Sequence, residues 1–315
     1  MRQIKTFAAT DDCTHAAPDD PTWQESALFA WQDLGTGLGG FLRLSQEPAN
    51  QAVNCCFGVF TEDGTRFRAN ATGEAMAAGD RGETHMAWGS KVHVALDTLT
   101  ITADFPECQA RLRFEDFHPR YDYIDLVRAT MVDGTSHHFE VAGKVVGTVV
   151  IDGREIAVDA LAYRDRSWGP RSWGSLRSTR WWPCVFGPDL SIHSVRAITA
   201  SGHILTAGYV LRNGEPLAIE DCEILVTMET DAVTPRSGTV TMTLENGERL
   251  EITCDRADGI VLHVRGYTAV ECLGRARFGD RVGMSNLEVC TNGAGGTLPP
   301  VLTIGSNNGQ GLSRR

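Results

Sequence analysis

Lysine is scarce in this chain: Lys5, Lys91 and Lys144 are the only three among 29 basic residues in 315. A surplus of positive charge is missing as well. The net charge of −11 argues against nucleic acid as a partner, because binding phosphates needs a basic face. No apolar run approaches the roughly 18 residues of a spanning helix, so no transmembrane segment is expected. The start, MRQIKTFAATDDCTH, lacks the apolar stretch of a secretion signal, and the expectation is a cytoplasmic protein. The nine cysteines contain no CxxC pair, and Cys55-Cys56 is not a zinc-ligand pattern. They read as free, mostly buried thiols in a reducing compartment. Histidines occur without HExxH or HxH spacing and no GxSxG elbow exists, so neither a metal site nor a serine hydrolase has local support.

Helical periodicity is also poor. The best candidate is 23–33, WQESALFAWQD, while 70–89 is rich in Ala and Gly and reads as a loop with one helical turn. What the chain has instead is turn dipeptides: Asp-Gly at 63–64, 133–134, 152–153 and 258–259, and Asn-Gly at 213–214 and 246–247. Such pairs suit type I′ turns, whose two central residues need positive φ. VVGTVVIDGREIAVDA, ILTAGYVLRNGEPLAI and VTMTLENGERLEITC are the clearest hairpins, with β-branched or aliphatic runs beside each turn. GTGLGG at 35–40 formally satisfies GxGxxG, but FLRLSQEPAN after it reads as a strand ending at a proline. A dinucleotide loop needs a helix there, so a glycine-rich turn is expected. His137-His138 reads as a solvated strand start. Many short strands without helices indicate an antiparallel all-β protein.

One stretch stands apart. Residues 165–182, DRSWGPRSWGSLRSTRWW, hold four of the seven tryptophans, four arginines and a single acid. EIAVDALAYRD before it alternates as a strand ending near Asp165, with Tyr163, Asp165 and Ser167 on one face and Arg164, Arg166 and Trp168 on the other. Gly169-Pro170 is expected to break that strand, an ordered loop to follow, and the next strand to begin near Trp181-Trp182. Two readings of Asp165 compete. In one it pairs with Arg164, Arg166 or Arg171 and ties a structural loop down. In the other the indoles line an apolar pocket, and Asp165 is a general acid whose proton is retained by low dielectric. Tryptophan faces would then stabilise the cation formed when an alkene takes that proton.

The segment GTVVIDGREIAVDALAYRDRSWGPRSW resembles the signature of the hydroxyneurosporene synthase (carotenoid 1,2-hydratase) and AttH-like superfamily, at Gly147, Ile151, Gly153, Asp165, Trp168, Gly169 and Arg171. The histidine that often follows the aspartate is Arg166 here. The resemblance implies two lipocalin-like antiparallel β-barrel domains with a ligand cavity near this loop. It also implies hydration of olefins or a related cyclisation, with Asp165 in the place of the proton donor.

The resulting expectations are an N-terminal domain over 1–165, a C-terminal domain over 166–295 and a loose tail over 296–315. The function expected is acid-catalysed hydration, dehydration, isomerisation or cyclisation of a hydrophobic isoprenoid or steroid-like molecule, with no cofactor and no metal. Asp165, Tyr163 and His193 form the candidate catalytic set. Trp168, Arg171, Trp173, Trp181 and Trp182 are the candidate substrate-binding set. Two alternatives stay open: a non-catalytic carrier of a hydrophobic ligand, and a site whose arginines grip an anionic head group.

Overall fold

The Asp-Gly and Asn-Gly pairs set the geometry of the hairpins. In the computed structural model, which describes residues 4–127, 137–231, 234–264 and 267–292, Asp152-Gly153 and Asn213-Gly214 both take positive φ (49° and 75°, 52° and 80°). These are the expected type I′ turns. Asn246-Gly247 differs: only Gly247 is left-handed, and the loop closes through Leu244 N–H to the Glu248 carbonyl. Asp258-Gly259 is not a turn at all but follows a register shift at Arg256 within a long strand. The pair at 133–134 and the tail at 296–315 lie outside the described residues.

The chain divides into two compact units, Met1–Tyr123 with Gly134–Arg171, and Ile124–Asp133 with Ser172–Arg315. The first unit holds β1 (Trp23–Gln32), β2 (Gly39–Glu47), β3 (Ala52–Phe60), β4 (Arg66–Ala75), β5 (Arg81–Gly82), β6 (His85–Trp88), β7 (Val92–Ala95), β8 (Thr100–Asp104), β9 (Cys108–Asp116), β10 (His137–Ile151) and β11 (Arg154–Pro170). They form one antiparallel sheet in the order β4-β3-β2-β1-β11-β10-β9-β8-β7-β6-β5. The sheet curls, and side chains tie its ends: Gln46 Nε2 donates to the Asp80 and Ala87 carbonyls, and Trp88 Nε1 to Glu74. The curl encloses a core that includes Phe29, Trp31, Leu42, Phe57 and Phe114.

The second unit holds β12 (Leu176–Gly187), β13 (Leu190–Thr199), β14 (Ile204–Arg212), β15 (Glu215–Met228), β16 (Pro235–Leu244), β17 (Arg249–Val264), β18 (Tyr267–Phe278) and β19 (Arg281–Asn292). These close into an eight-stranded barrel in sequential order. Its interior is packed with Trp182, Phe186, Ile192, Val210, Met242 and Leu287, among others. The all-β, lipocalin-like expectation therefore stands, with one closed barrel and one curled sheet.

Three local expectations are corrected. Trp23–Gln32 is a strand, not a helix; it is buried along its whole length on both faces, which erases the period-2 pattern. The 70–89 segment carries β4, β5 and β6 instead of a helical turn. β11 does not end at Asp165 but continues to Pro170, and β12 starts at Leu176, so the supposed loop shrinks to a few residues around Trp173. Pro170 is tolerated because it closes the strand, opposite Trp23 at the start of β1.

Gly147 bends β10 at φ 147°, and a Cβ there would lie 2.1 Å from the Arg111 carbonyl oxygen on β9. Gly147→Ala is expected to lower stability by roughly 1–3 kcal/mol, the usual cost of a side chain held in a sparsely populated backbone conformation. Urea denaturation would check this, and an unchanged midpoint would contradict it.

Candidate active site

β11 presents two chemically distinct faces. Arg164 and Arg166 point to the side that carries the core, and both guanidinium groups are buried there. Arg164 is held by Asp12 (2.6 Å) and Asp116 (2.8 Å). Arg166 pairs with Glu25 and donates to the backbone carbonyls of Asp12, Ser26 and Cys13. Glu25 is fully buried and also meets Arg81 and His15. Burial alone would raise its carboxyl, but Arg166, His15 and Arg81 outweigh it and lower the carboxyl to about 2. The arginines beside Asp165 in sequence are thus committed to other acids on the opposite face.

Trp168 shares that arginine face, as the strand alternation predicts, and does not flank Asp165. Its ring is sandwiched between His15 (3.9 Å, 11°) and His137 (4.9 Å, 1°), and Phe7 meets it edge-on. Burial, followed by the charges of Lys5 and His15, keeps His137 below its ordinary value. This is a packing cluster that holds the N-terminal segment against the sheet.

The other face of β11 carries Tyr163, Asp165 and Ser167. Asp165 sits opposite Glu140 of β10 and Leu28 of β1. His138 Nε2 lies 3.4 Å from Glu140 Oε1 and 3.9 Å from Asp165 Oδ2, and the Tyr123 ring stacks on the imidazole at 4.7 Å. Glu140, His138 and Tyr163 are buried, while the Asp165 side chain keeps 16% exposure. One rung along, Ser167 Oγ and Ser26 Oγ are 2.9 Å apart, and Arg171 donates to Ser167 Oγ at 2.8 Å. Two carboxylates, an imidazole and a phenol thus converge on one patch, a set able to hold and move a proton.

His138 and Glu140 were missed by sequence reasoning. His138 is buried, not solvated: β10 continues from it as a central strand between β9 and β11. Among the described residues no group of three or more His, Cys, Asp or Glu is arranged to hold a metal ion. No helix among them is long and apolar enough to cross a membrane.

The remaining candidates belong to the second unit. Trp182 is a core residue of the barrel, fully buried with its indole N–H on Ser285 (2.7 Å), so its substrate-binding role is corrected. Trp181 lies on the outward face with His193 (4.7 Å), and Tyr209 meets the same imidazole at 5.6 Å. Trp173 packs against Tyr267.

A family model described as "Domain of unknown function (DUF7064)" matches residues 8–293. The sequence matches none of the curated proteins. Among solved structures, a protein from Nitrosomonas europaea assigned to AttH superposes with a TM-score of 0.65 at 11% identity, covering 87% of this chain and 93% of that one. Kievitone hydratase from Nectria haematococca gives 0.62 at 9% identity, covering 92% and 94%. CghA bound to Sch210972 gives 0.60 at 13% identity, covering 87% and 90%. The chain therefore shares the AttH-like fold.

Proposed function

This chain belongs to the DUF7064 family, and we propose that it is a cofactor-independent, acid-catalysed lyase or isomerase acting on a hydrophobic olefinic molecule of isoprenoid or steroid-like type. The observation that carries this reading is the separation of charges on β11. The neighbouring arginines are occupied on one face, and Asp165 is grouped with His138, Glu140 and Tyr163 on the other. A carboxyl in such a patch has Arg164 and Arg166 turned to the opposite face and sits beside groups that can return its proton.

In the forward direction the Asp165 carboxyl gives its proton to one alkene carbon. The π electron pair forms the new C–H bond and leaves a cation on the other carbon. Water, oriented by the Tyr163 hydroxyl, adds to that cation and returns a proton to the carboxylate. The reverse sequence dehydrates a tertiary alcohol, and proton loss from carbon or ring closure gives isomerisation or cyclisation. Within the second unit, His193 and Trp181 place an imidazole beside an indole, a polar handle next to a π face. The names of kievitone hydratase and CghA's bound Sch210972 support small-molecule chemistry on this fold.

A plain carrier role fits less well. Lipocalin-type carriage uses the barrel interior, and here Trp31, Phe29 and Phe57 in one unit and Trp182 and Phe186 in the other are buried core residues of those interiors. The test is incubation of the full chain with a panel of terpenoid and prenylated phenolic alkenes in ¹⁸O-labelled water, followed by mass spectrometry. Products carrying one labelled oxygen, or isomers absent without protein, are expected. Ligands that bind and are recovered unchanged throughout would leave only the carrier.

A further inference from the structure

The face of the first sheet that carries Asp165 has a second feature, one rung away. Ser167 on β11, Ser26 on β1 and Ser45 on β2 stand side by side in register, each almost fully buried. A guanidinium anchors each end of the row: Arg171 donates to Ser167 Oγ at 2.8 Å, and Arg43 to Ser45 Oγ at 2.9 Å. Arg43 itself is buried and occupies the same rung as Asp165, with Leu28 between them.

Three adjacent serines are an unusual choice for a buried sheet face, where aliphatic residues normally pack. A serine hydroxyl that accepts from a guanidinium keeps its own hydrogen for a further acceptor. Ser26 and Ser167 also bond each other at 2.9 Å, so one of those two hydroxyls and that of Ser45 offer hydrogens between the two guanidinium groups. On the adjoining rungs Leu28, Tyr163, Ala30 and Phe41 provide an apolar floor. The rung spacing puts this row on the order of 7 Å from Asp165 along the strand, and Arg43 about 10 Å from Asp165 across two strands.

We propose that the row Arg171–Ser167–Ser26–Ser45–Arg43 is a carboxylate-binding site, so that the substrate is an amphipathic acid whose olefinic body extends over Leu28 and Phe41 toward Asp165. This rests on the acid-catalysis reading above and names its substrate class. A singly charged carboxylate suits the row better than a diphosphate, because Glu140 lies one rung away and repels added negative charge.

The test measures binding of three probes to the full chain by calorimetry: farnesoic acid, farnesol and farnesyl diphosphate. The wild type is expected to bind the acid roughly tenfold more tightly than the alcohol, as charge-assisted hydrogen bonds to a guanidinium allow. Arg43→Gln is expected to bring the two to near equality, Arg43→Lys to keep part of the preference, and Ser26→Ala to reduce it several-fold. Ser26→Ala removes a single oxygen and carries the test should Arg43→Gln fail to fold. Equal binding of acid and alcohol by the wild type, binding of neither, a diphosphate favoured over the acid, or a preference untouched in Arg43→Gln and Ser26→Ala would each overturn the assignment. In Asp165→Asn the acid preference should persist whatever happens to turnover. The anion site and the proton donor therefore fail independently.

Discussion

Asp165→Asn is expected to lower turnover by about 10²- to 10⁴-fold, the usual contribution of a positioned general acid. The amide keeps the size and one acceptor of the carboxylate but has no acidic proton. His138 would still face Glu140 at 3.4 Å, so the patch keeps that contact. Stability should change by less than about 1 kcal/mol, in line with a partly exposed side chain outside the core. Steady-state kinetics, ligand affinity and a thermal melt read the three quantities separately. A variant that turns over normally but unfolds early would identify Asp165 as a structural ion-pair member, the competing reading of the sequence.

The largest stability effect is expected at Glu25. Glu25→Gln leaves Arg166 buried with backbone carbonyls as its remaining acceptors, and breaking one side of a buried pair costs about 3–5 kcal/mol. The same carboxylate predicts a pH dependence. Its folded value falls from an ordinary 4.5 to about 2, pulled down by Arg166, His15 and Arg81 against burial. Its contribution, roughly 3 kcal/mol, is therefore complete above pH 4.5 and disappears as pH falls toward 2. Urea midpoints measured across pH 2–7 should show this step in the wild type and lack it in Glu25→Gln. Parallel profiles for the two proteins would contradict the assignment.

Much of the β architecture was legible because hairpins are local. A type I′ turn at Asp152-Gly153 fixes register, and counting the same number of residues outward on both sides brings Glu140 opposite Asp165. That partner could have been found from sequence had β11 been carried past Asp165. The glycine and proline at 169–170 discouraged it, yet both fit a strand that ends where β1 begins. The alternation of Tyr163, Asp165 and Ser167 against Arg164, Arg166 and Trp168 also follows from strand geometry alone. Other parts were not legible. Asp12, Glu25 and Asp116 reach the arginines from three distant segments, and no local pattern announces such pairs. The serine row likewise depends on β1 pairing with β11, a contact between residues 141 apart. Trp182 looked like a pocket wall because composition reports an aromatic residue but not the side of the sheet it occupies.

That long-range pairing has a kinetic consequence. β1 lies between β2 and β11, so the nascent N-terminal meander emerges from the ribosome with one flank of a wholly buried strand open. The missing neighbour is not translated until about residue 170. During that interval WQESALFAWQ is an open strand edge that other chains can pair with, the general hazard of a long-range strand pairing.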